Sequence, residues 1–169
     1  YPGGVIGSGD TNIAGTSIDR FMHHKLPATV FHKSIMTYVH VQDVAEAILK
    51  AAEKQDNIGE KYILGNAHIT FDEFYGMIHD ITGEPLPMMR MPDNLALFNA
   101  RMLTTLADVI KRPPLWGMSI DGMRTLKEGI NADGSKAERE LGIHYTPIRK
   151  ALEDEVAWYR DPSHSHYMH

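Results

Sequence analysis

The segment Thr37-Tyr38-Val39-His40-Val41-Gln42-Asp43-Val44-Ala45-Glu46-Ala47 constrains this chain more than any other. An apolar, β-branched run ends at Val41, and an amphipathic helical pattern starts at once, with no glycine or proline between them. Asp43 is the expected helix cap, with Glu46 three residues on as the partner in a capping box. A strand that passes directly into a helix belongs to α/β architectures, in which ligands gather at the strand ends. The expected fold class is therefore α/β.

Size and composition narrow the function classes. At 169 residues with 43% apolar content the chain is one domain in size and can bury a substantial core. No apolar run reaches the roughly 18–20 residues that span a membrane. The net charge of −5 and the lack of a basic stripe argue against nucleic acid as a partner. With no cysteine there is no disulfide, thiolate nucleophile or thiolate metal site, which fits a cytoplasmic setting. Tyr1-Pro2-Gly3-Gly4-Val5-Ile6-Gly7 starts with neither methionine nor a targeting segment and looks like a strand entering a glycine-rich loop. The expectation is a fragment of a longer protein.

The pattern of elements is helix-rich. Residues 7–15 are expected as a loop, followed by a short helix capped by Thr16 with Ile18, Phe21 and Met22 on its apolar face. Residues 28–32 and 36–41 suggest two strands of a hairpin, and 61–64 a further strand. The helix after Asp43 is expected to bury Val44, Ala47, Ile48, Ala51 and Ala52. Thr70 and Glu73 form a Thr-x-x-Glu capping box for a helix that buries Phe71, Phe74, Tyr75, Ile78 and Ile81 and ends at Gly83. A long helix over 93–111 would bury Leu95, Phe98, Met102, Leu106, Val109 and Ile110, with Pro113-Pro114 as its breaker. A short helix is expected over 121–126. Asp133 or Ser135 would cap a helix ending at Gly142. Thr146 and Pro147 would open a last helix with Ile148, Ala151, Leu152, Val156 and Tyr159 buried. Residues 163–169 are expected as a flexible tail, so that His164, His166 and His169 form no metal site.

Several segments, in order, resemble one family. They are Pro2-Gly3-Gly4-Val5-Ile6-Gly7 with Gly9-Asp10, Val39-His40-Val41-Gln42-Asp43-Val44-Ala45-Glu46-Ala47, Gly59-Glu60-Lys61-Tyr62-Ile63-Leu64-Gly65, Thr70-Phe71-Asp72-Glu73-Phe74, Ser135-Lys136-Ala137 with Glu140-Leu141-Gly142, and Trp158-Tyr159. Together they resemble the C-terminal half of an extended short-chain dehydrogenase/reductase. The pattern is most similar to the branch of NAD(P)-dependent epimerases/dehydratases and dihydroflavonol-reductase-like enzymes. The resemblance implies the C-terminal part of a Rossmann-type fold with a few short parallel strands and a small substrate domain. Residues 1–66 would contain the last Rossmann strands and 67–162 the mostly helical substrate portion.

The same resemblance carries functional expectations. Catalysis in the family uses a Tyr-x-x-x-Lys pair, and no tyrosine here has lysine four residues later; Tyr145 is followed by Arg149. Gly4-x-x-Gly7-x-Gly9 lacks the spacing and context of a dinucleotide fingerprint. No catalytic residue is therefore assigned. Pro2, Gly3, Gly4 and Val5 match a loop whose backbone meets the nicotinamide of NAD or NADP. Ser8, Asn12, Met36, Thr37 and Tyr38 match positions that face substrate. The implied role is the substrate-binding half of an oxidoreductase or epimerase acting on a nucleotide sugar or a small hydroxylated carbonyl compound. The resemblance leaves a homodimer open. The alternative is a non-catalytic interaction module with the same fold.

Overall fold

A computed structural model describes residues 1–112 and 119–167. Its centre is a three-stranded sheet of β1 (Gly4–Ile6), β2 (Ile35–His40) and β3 (Ala67–Thr70), in that order. β1 and β2 are parallel, with Val5 opposite Val39 and Ile6 opposite His40. β3 returns antiparallel, with Met36 opposite Ile69 and Thr37 opposite His68. The sheet is thus mixed, where parallel strands were expected. Residues 28–32 form no hairpin arm: Thr29 makes one isolated bridge to Arg90, and Phe31 turns through φ 51°. Residues 61–64 also fall short of a strand. Leu64 bridges Pro2, so Val5 and Ile6 lie beside β2 instead of beside 62–64.

Seven helices surround the sheet among the described residues: α1 (Ile13–Met22), α2 (Val41–Glu53), α3 (Phe71–Thr82), α4 (Asp93–Ile110), α5 (Ile120–Glu128), α6 (Ser135–Leu141) and α7 (Ile148–Arg160). Alternation along β2 decides what each helix covers. Met36 and Tyr38 join Ile18, Phe21, Phe74, Ile78, Leu152 and Val156 in a core under α1, α3 and α7. Val39 points the other way, into a second cluster with Ala47, Ala137, Leu141 and Ile143. A third cluster gathers Phe31, Ala96, Ala100 and Met123 beneath α4 and α5.

Helix α3 follows its sequence signals closely. Thr70 Oγ1 accepts from Glu73 N, Glu73 Oε2 accepts from Thr70 N at 2.7 Å, and Gly83 closes the helix at φ 77°. Gly142 closes α6 in the same left-handed way. Elsewhere the caps shift. Asn12, not Thr16, precedes α1, and Gly134 precedes α6. Pro147 is the residue before α7 and makes no side-chain cap.

Helix α4 corrects the expected packing. Its buried positions are Ala96, Ala100 and Ala107, while Leu95, Phe98, Met102, Leu106, Val109 and Ile110 are exposed. Small residues let α4 approach α5 closely, so the bulky stripe flanks the contact instead of filling it. Ile48 of α2 is likewise exposed. The expected break at Pro113-Pro114 and the position of His169 lie outside the described residues. Pro162–Tyr167 is wound into a 3₁₀ turn, where a flexible tail was expected, and the His164 ring stacks 4.4 Å from that of Trp158.

Candidate functional site: a cleft beside the strand-to-helix junction

The strand-to-helix junction is built differently from its sequence reading. β2 runs into α2 without a linker, so His40 is the capping residue and its Nδ1 accepts from Gln42 N at 3.1 Å. Asp43 lies inside the first turn. Its two carboxylate oxygens accept from Thr146 N and Thr146 Oγ1, each at 2.7 Å. The acidic side chain therefore ties α2 to the start of α7 and is favourably placed at a helix N-terminus. On the other ring nitrogen, His40 Nε2 lies 3.4 Å from the Asp154 carboxylate. Lys150 hydrogen-bonds that carboxylate and, against the upward push of burial and with a smaller help from His40, holds its pKa below the usual aspartate value.

A cleft of about 1230 Å³ opens between the 7–14 segment, the sheet, and the α3–α5 side of the molecule. Its polar lining comes from Ser8, Asp10, Asn12 and Ser17, with Asp19, Arg20, Lys25 and Asn99. Apolar and aromatic residues make up most of the rest, among them Tyr38, Phe71, Tyr75, Met91, Leu103 and Met123. The aromatic residues are fixed by packing: Tyr38 stacks on Phe74 at 5.3 Å, and Phe21 on Tyr75 at 5.9 Å. Burial pushes the Tyr38 and Tyr75 hydroxyls up, so both are protonated at neutral pH.

Among the nine sequence-predicted site residues, Gly4, Val5, Ser8, Asn12, Met36 and Tyr38 line this cleft, whereas Pro2, Gly3 and Thr37 are not among its lining. Thr37 has no exposed surface, and its hydroxyl is taken up internally. It donates to Ile130 O at 2.9 Å, accepts from Ala132 N at 2.9 Å and lies 3.0 Å from His68 Nδ1. The side chain expected to meet substrate thus pins the 130–132 segment to β2. Gly3 and Gly4 have a packing reason of their own. A Cβ on Gly3 would stand 2.4 Å from Thr37 O, and one on Gly4 2.7 Å from the Tyr38 ring.

The loop that carries Ser8, Asp10 and Asn12 hangs on α7. Gly7 N donates to Glu155 Oε2 at 3.0 Å, Ser8 Oγ to Asp154 O at 3.3 Å, and Tyr159 Oη to Asp10 O at 2.7 Å. The Asp10 carboxylate accepts from Asn12 N and Gly15 N, which fixes the turn into α1. Glu155 is wholly buried, and burial together with the Asp10 charge raises its pKa to about 8. Sequence reasoning passed over Glu155. The signal was an acid at helical spacing among Ala151, Leu152, Val156 and Tyr159, on the stripe expected to be apolar.

No protein-family model matches the chain. Curated relatives do. "Sterol demethylase protein B" of Methylococcus capsulatus is 29% identical over 164 residues, which cover 95% of this chain and 48% of that protein. A Synechocystis protein named "Putative dihydroflavonol 4-reductase" is 30% identical over 150 residues, 87% of this chain and 43% of its own. The chain thus spans about half the length of the curated relatives it matches. Among solved structures, that of gox2253 superposes with a TM-score of 0.72 at 29% identity, covering 95% of this chain and 48% of that one. A nucleoside-diphosphate-sugar epimerase from Pseudomonas aeruginosa gives 0.71 at 24% identity, covering 99% and 48%. UDP-glucuronic acid 4-epimerase from Bacillus cereus, solved with UDP-glucuronic acid and NAD, gives 0.65 at 17% identity over 95% and 44%, a likeness of fold alone.

Fold and matches together fit a class: the C-terminal half of the extended short-chain dehydrogenases/reductases. The relatives and structures it matches include ones that carry the names of dihydroflavonol reductases and nucleotide-sugar epimerases, the branch that the sequence resembles.

Proposed function

We propose that this chain supplies the substrate-binding side of an NAD(P)-dependent oxidoreductase, and that the substrate is a hydroxylated carbonyl compound with a large apolar body. The observation that carries the reading is the composition of the cleft lining. Rings, methionines and leucines dominate it, and Ser8, Asp10, Asn12 and Ser17 add a few polar groups. Such a site orients a substrate by a few hydroxyl and carbonyl contacts and holds its body by burial. A nucleotide sugar needs cations for its diphosphate, and the cleft lining has Arg20, in the last turn of α1, and Lys25, just beyond that helix.

The residues at the cleft floor fit a nicotinamide. β1 is an edge strand of the described sheet, so every second residue turns its backbone N–H and C=O away from β2, where a carboxamide can pair with them. Gly4 and Val5 place this strand beside the cleft; Pro2 and Gly3 precede it, and the Gly3 N–H is already donated to Leu64 O. The cofactor, when bound, supplies or accepts the hydride. This chain's own part is positional. The loop anchored on α7 sets the hydroxyl and amide groups of Ser8 and Asn12. Met36 and Tyr38 set the depth of the cleft and exclude water. The division into a strand-containing part over 1–66 and a mostly helical part over 67–162 belongs to the same proposal, as does assembly with a dinucleotide-binding half and into a homodimer.

Amide NMR titration tests the substrate class. A hydroxylated diaryl ketone is expected to shift the resonances of Ser8, Asn12, Met36 and Tyr38 in a saturable way, and Phe71→Ala to weaken it by about tenfold, as the loss of a buried aromatic contact predicts. UDP-glucose that saturates the same resonances more tightly than the ketone would replace this reading with the nucleotide-sugar one.

A further inference from the structure

We propose that Glu155 is a positioning residue whose proton sets how firmly the 7–12 loop closes against the cleft. Glu155 occupies a core position of α7 and has no exposed surface. A buried carboxyl at such a site is unfavourable unless its hydrogen bonds and charge are compensated. Here one oxygen accepts from Gly7 N, and the other, Oε1, has no hydrogen-bond partner among the described residues. The nearby charge that raises its pKa, after burial, is the Asp10 carboxylate.

The elements around α7 bring further titratable groups: Asp19 from α1, Tyr38 and His40 from β2, Tyr75 from α3, and Asp154 and Tyr159 from α7 itself. His40 is engaged with Asp154, and Lys150 with Asp154 as well, so neither neutralises Glu155. With its proton, Glu155 is neutral, and the loop sits on it through Gly7. Without its proton, a buried anion faces Asp10 with one oxygen unpaired. Water must then reach it. Helix α7 is clamped by α1, α3 and the sheet, so the movable side is the loop, held by Ser8 Oγ and by the Tyr159–Asp10 bond. Closure is thereby favoured below the pKa of about 8 and loosened above it. A glutamine would donate and accept at the same place with no proton to lose.

This inference goes beyond the proposed function but rests on it for the claim that the loop borders a substrate cleft. Its test needs no ligand, so the two fail separately. The Gly7, Ser8 and Asp10 amide resonances and their exchange protection factors are followed from pH 5 to 10 in the whole chain. A single shared transition with a midpoint near 8 is expected, with protection of the loop falling by about tenfold above it while α3 stays protected. Glu155→Gln is expected to abolish the transition, and His40→Gln to leave it in place. A midpoint in the ordinary carboxylate range, or no transition at all, overturns the proposal, as does a transition that survives Glu155→Gln or is lost with His40→Gln. Should Glu155→Gln fail to fold, the midpoint in the unaltered chain decides alone.

Discussion

Replacing Asp43 with alanine is expected to destabilise the fold by about 3 kcal/mol. The side chain is 4% exposed and accepts two hydrogen bonds from one residue, Thr146 N and Oγ1, both at 2.7 Å. A hydrogen bond to a charged acceptor contributes about 1.5–3 kcal/mol, and its loss also leaves the partner's buried donor unsatisfied. Thr146 is half-buried, so its hydroxyl can turn to water and recover part of that. The charge at the start of α2 adds about 0.5 kcal/mol. The total is about 3 kcal/mol, the lower end of the roughly 3–6 kcal/mol that a simple doubling would give. Asp43→Asn keeps one acceptor and is expected to lose about half as much. Urea unfolding with an unchanged slope measures each loss. A double-mutant cycle with Thr146→Val is expected to show a coupling of about 1 kcal/mol. A loss below about 1 kcal/mol for Asp43→Ala, with no coupling to Thr146, would refute the claim that this carboxylate ties α2 to α7.

Other outcomes follow from particular contacts. Gly3→Ala is expected to lower stability by about 1–3 kcal/mol, because its Cβ would stand 2.4 Å from Thr37 O, a backbone atom that cannot give way; chemical denaturation reads it. Thr70→Ala removes the side-chain cap of α3 and should lose about 1 kcal/mol by the same assay, with amide exchange rising first in the opening turn. Glu155 binds its proton more tightly in the folded chain, with its pKa raised from 4.5 to about 8. Its contribution to stability is therefore fully present below about pH 4.5 and lost as the pH rises through 8. Thermal midpoints should show this decline in the unaltered chain and a flatter profile in Glu155→Gln.

The sequence carried the helices better than the sheet. Thr70, Glu73 and Gly83 announce both ends of α3 because capping is local chemistry, complete within one turn. β3 was hidden because Ala67–Thr70 is short and takes its place only by pairing with Met36 and Thr37 across the sheet. The face of α4 was misjudged for a related reason: hydrophobic spacing marks large residues, whereas Ala96 and Ala100 are what the neighbouring helix admits. Asp43 satisfies every local rule for a cap, yet α2 already begins at Val41 with His40 as its cap, and a partner 103 residues away claims the carboxylate.

The candidate site was legible in parts. Gly4, Val5, Ser8, Asn12, Met36 and Tyr38 came from matched segments, and the fold gathers them at one cleft. Thr37 lies between two of them on the same strand, but alternation turns it to the opposite face, where Ile130 and Ala132 hold it. Glu155 was missed because a helical wheel records that an acid lies on the buried stripe but not which backbone amide it meets.

The proposed role as the substrate side of a hydride-transfer site is tested most directly by cross-saturation NMR, in which a hydroxylated diaryl ketone is irradiated and transfer to the chain's methyl and amide protons is mapped. Transfer is expected to concentrate on Met36, Tyr38, Met91, Met123 and the 8–12 loop. Transfer confined to the exposed α4 stripe of Leu95, Phe98 and Leu106, or none at saturating ketone, would contradict it.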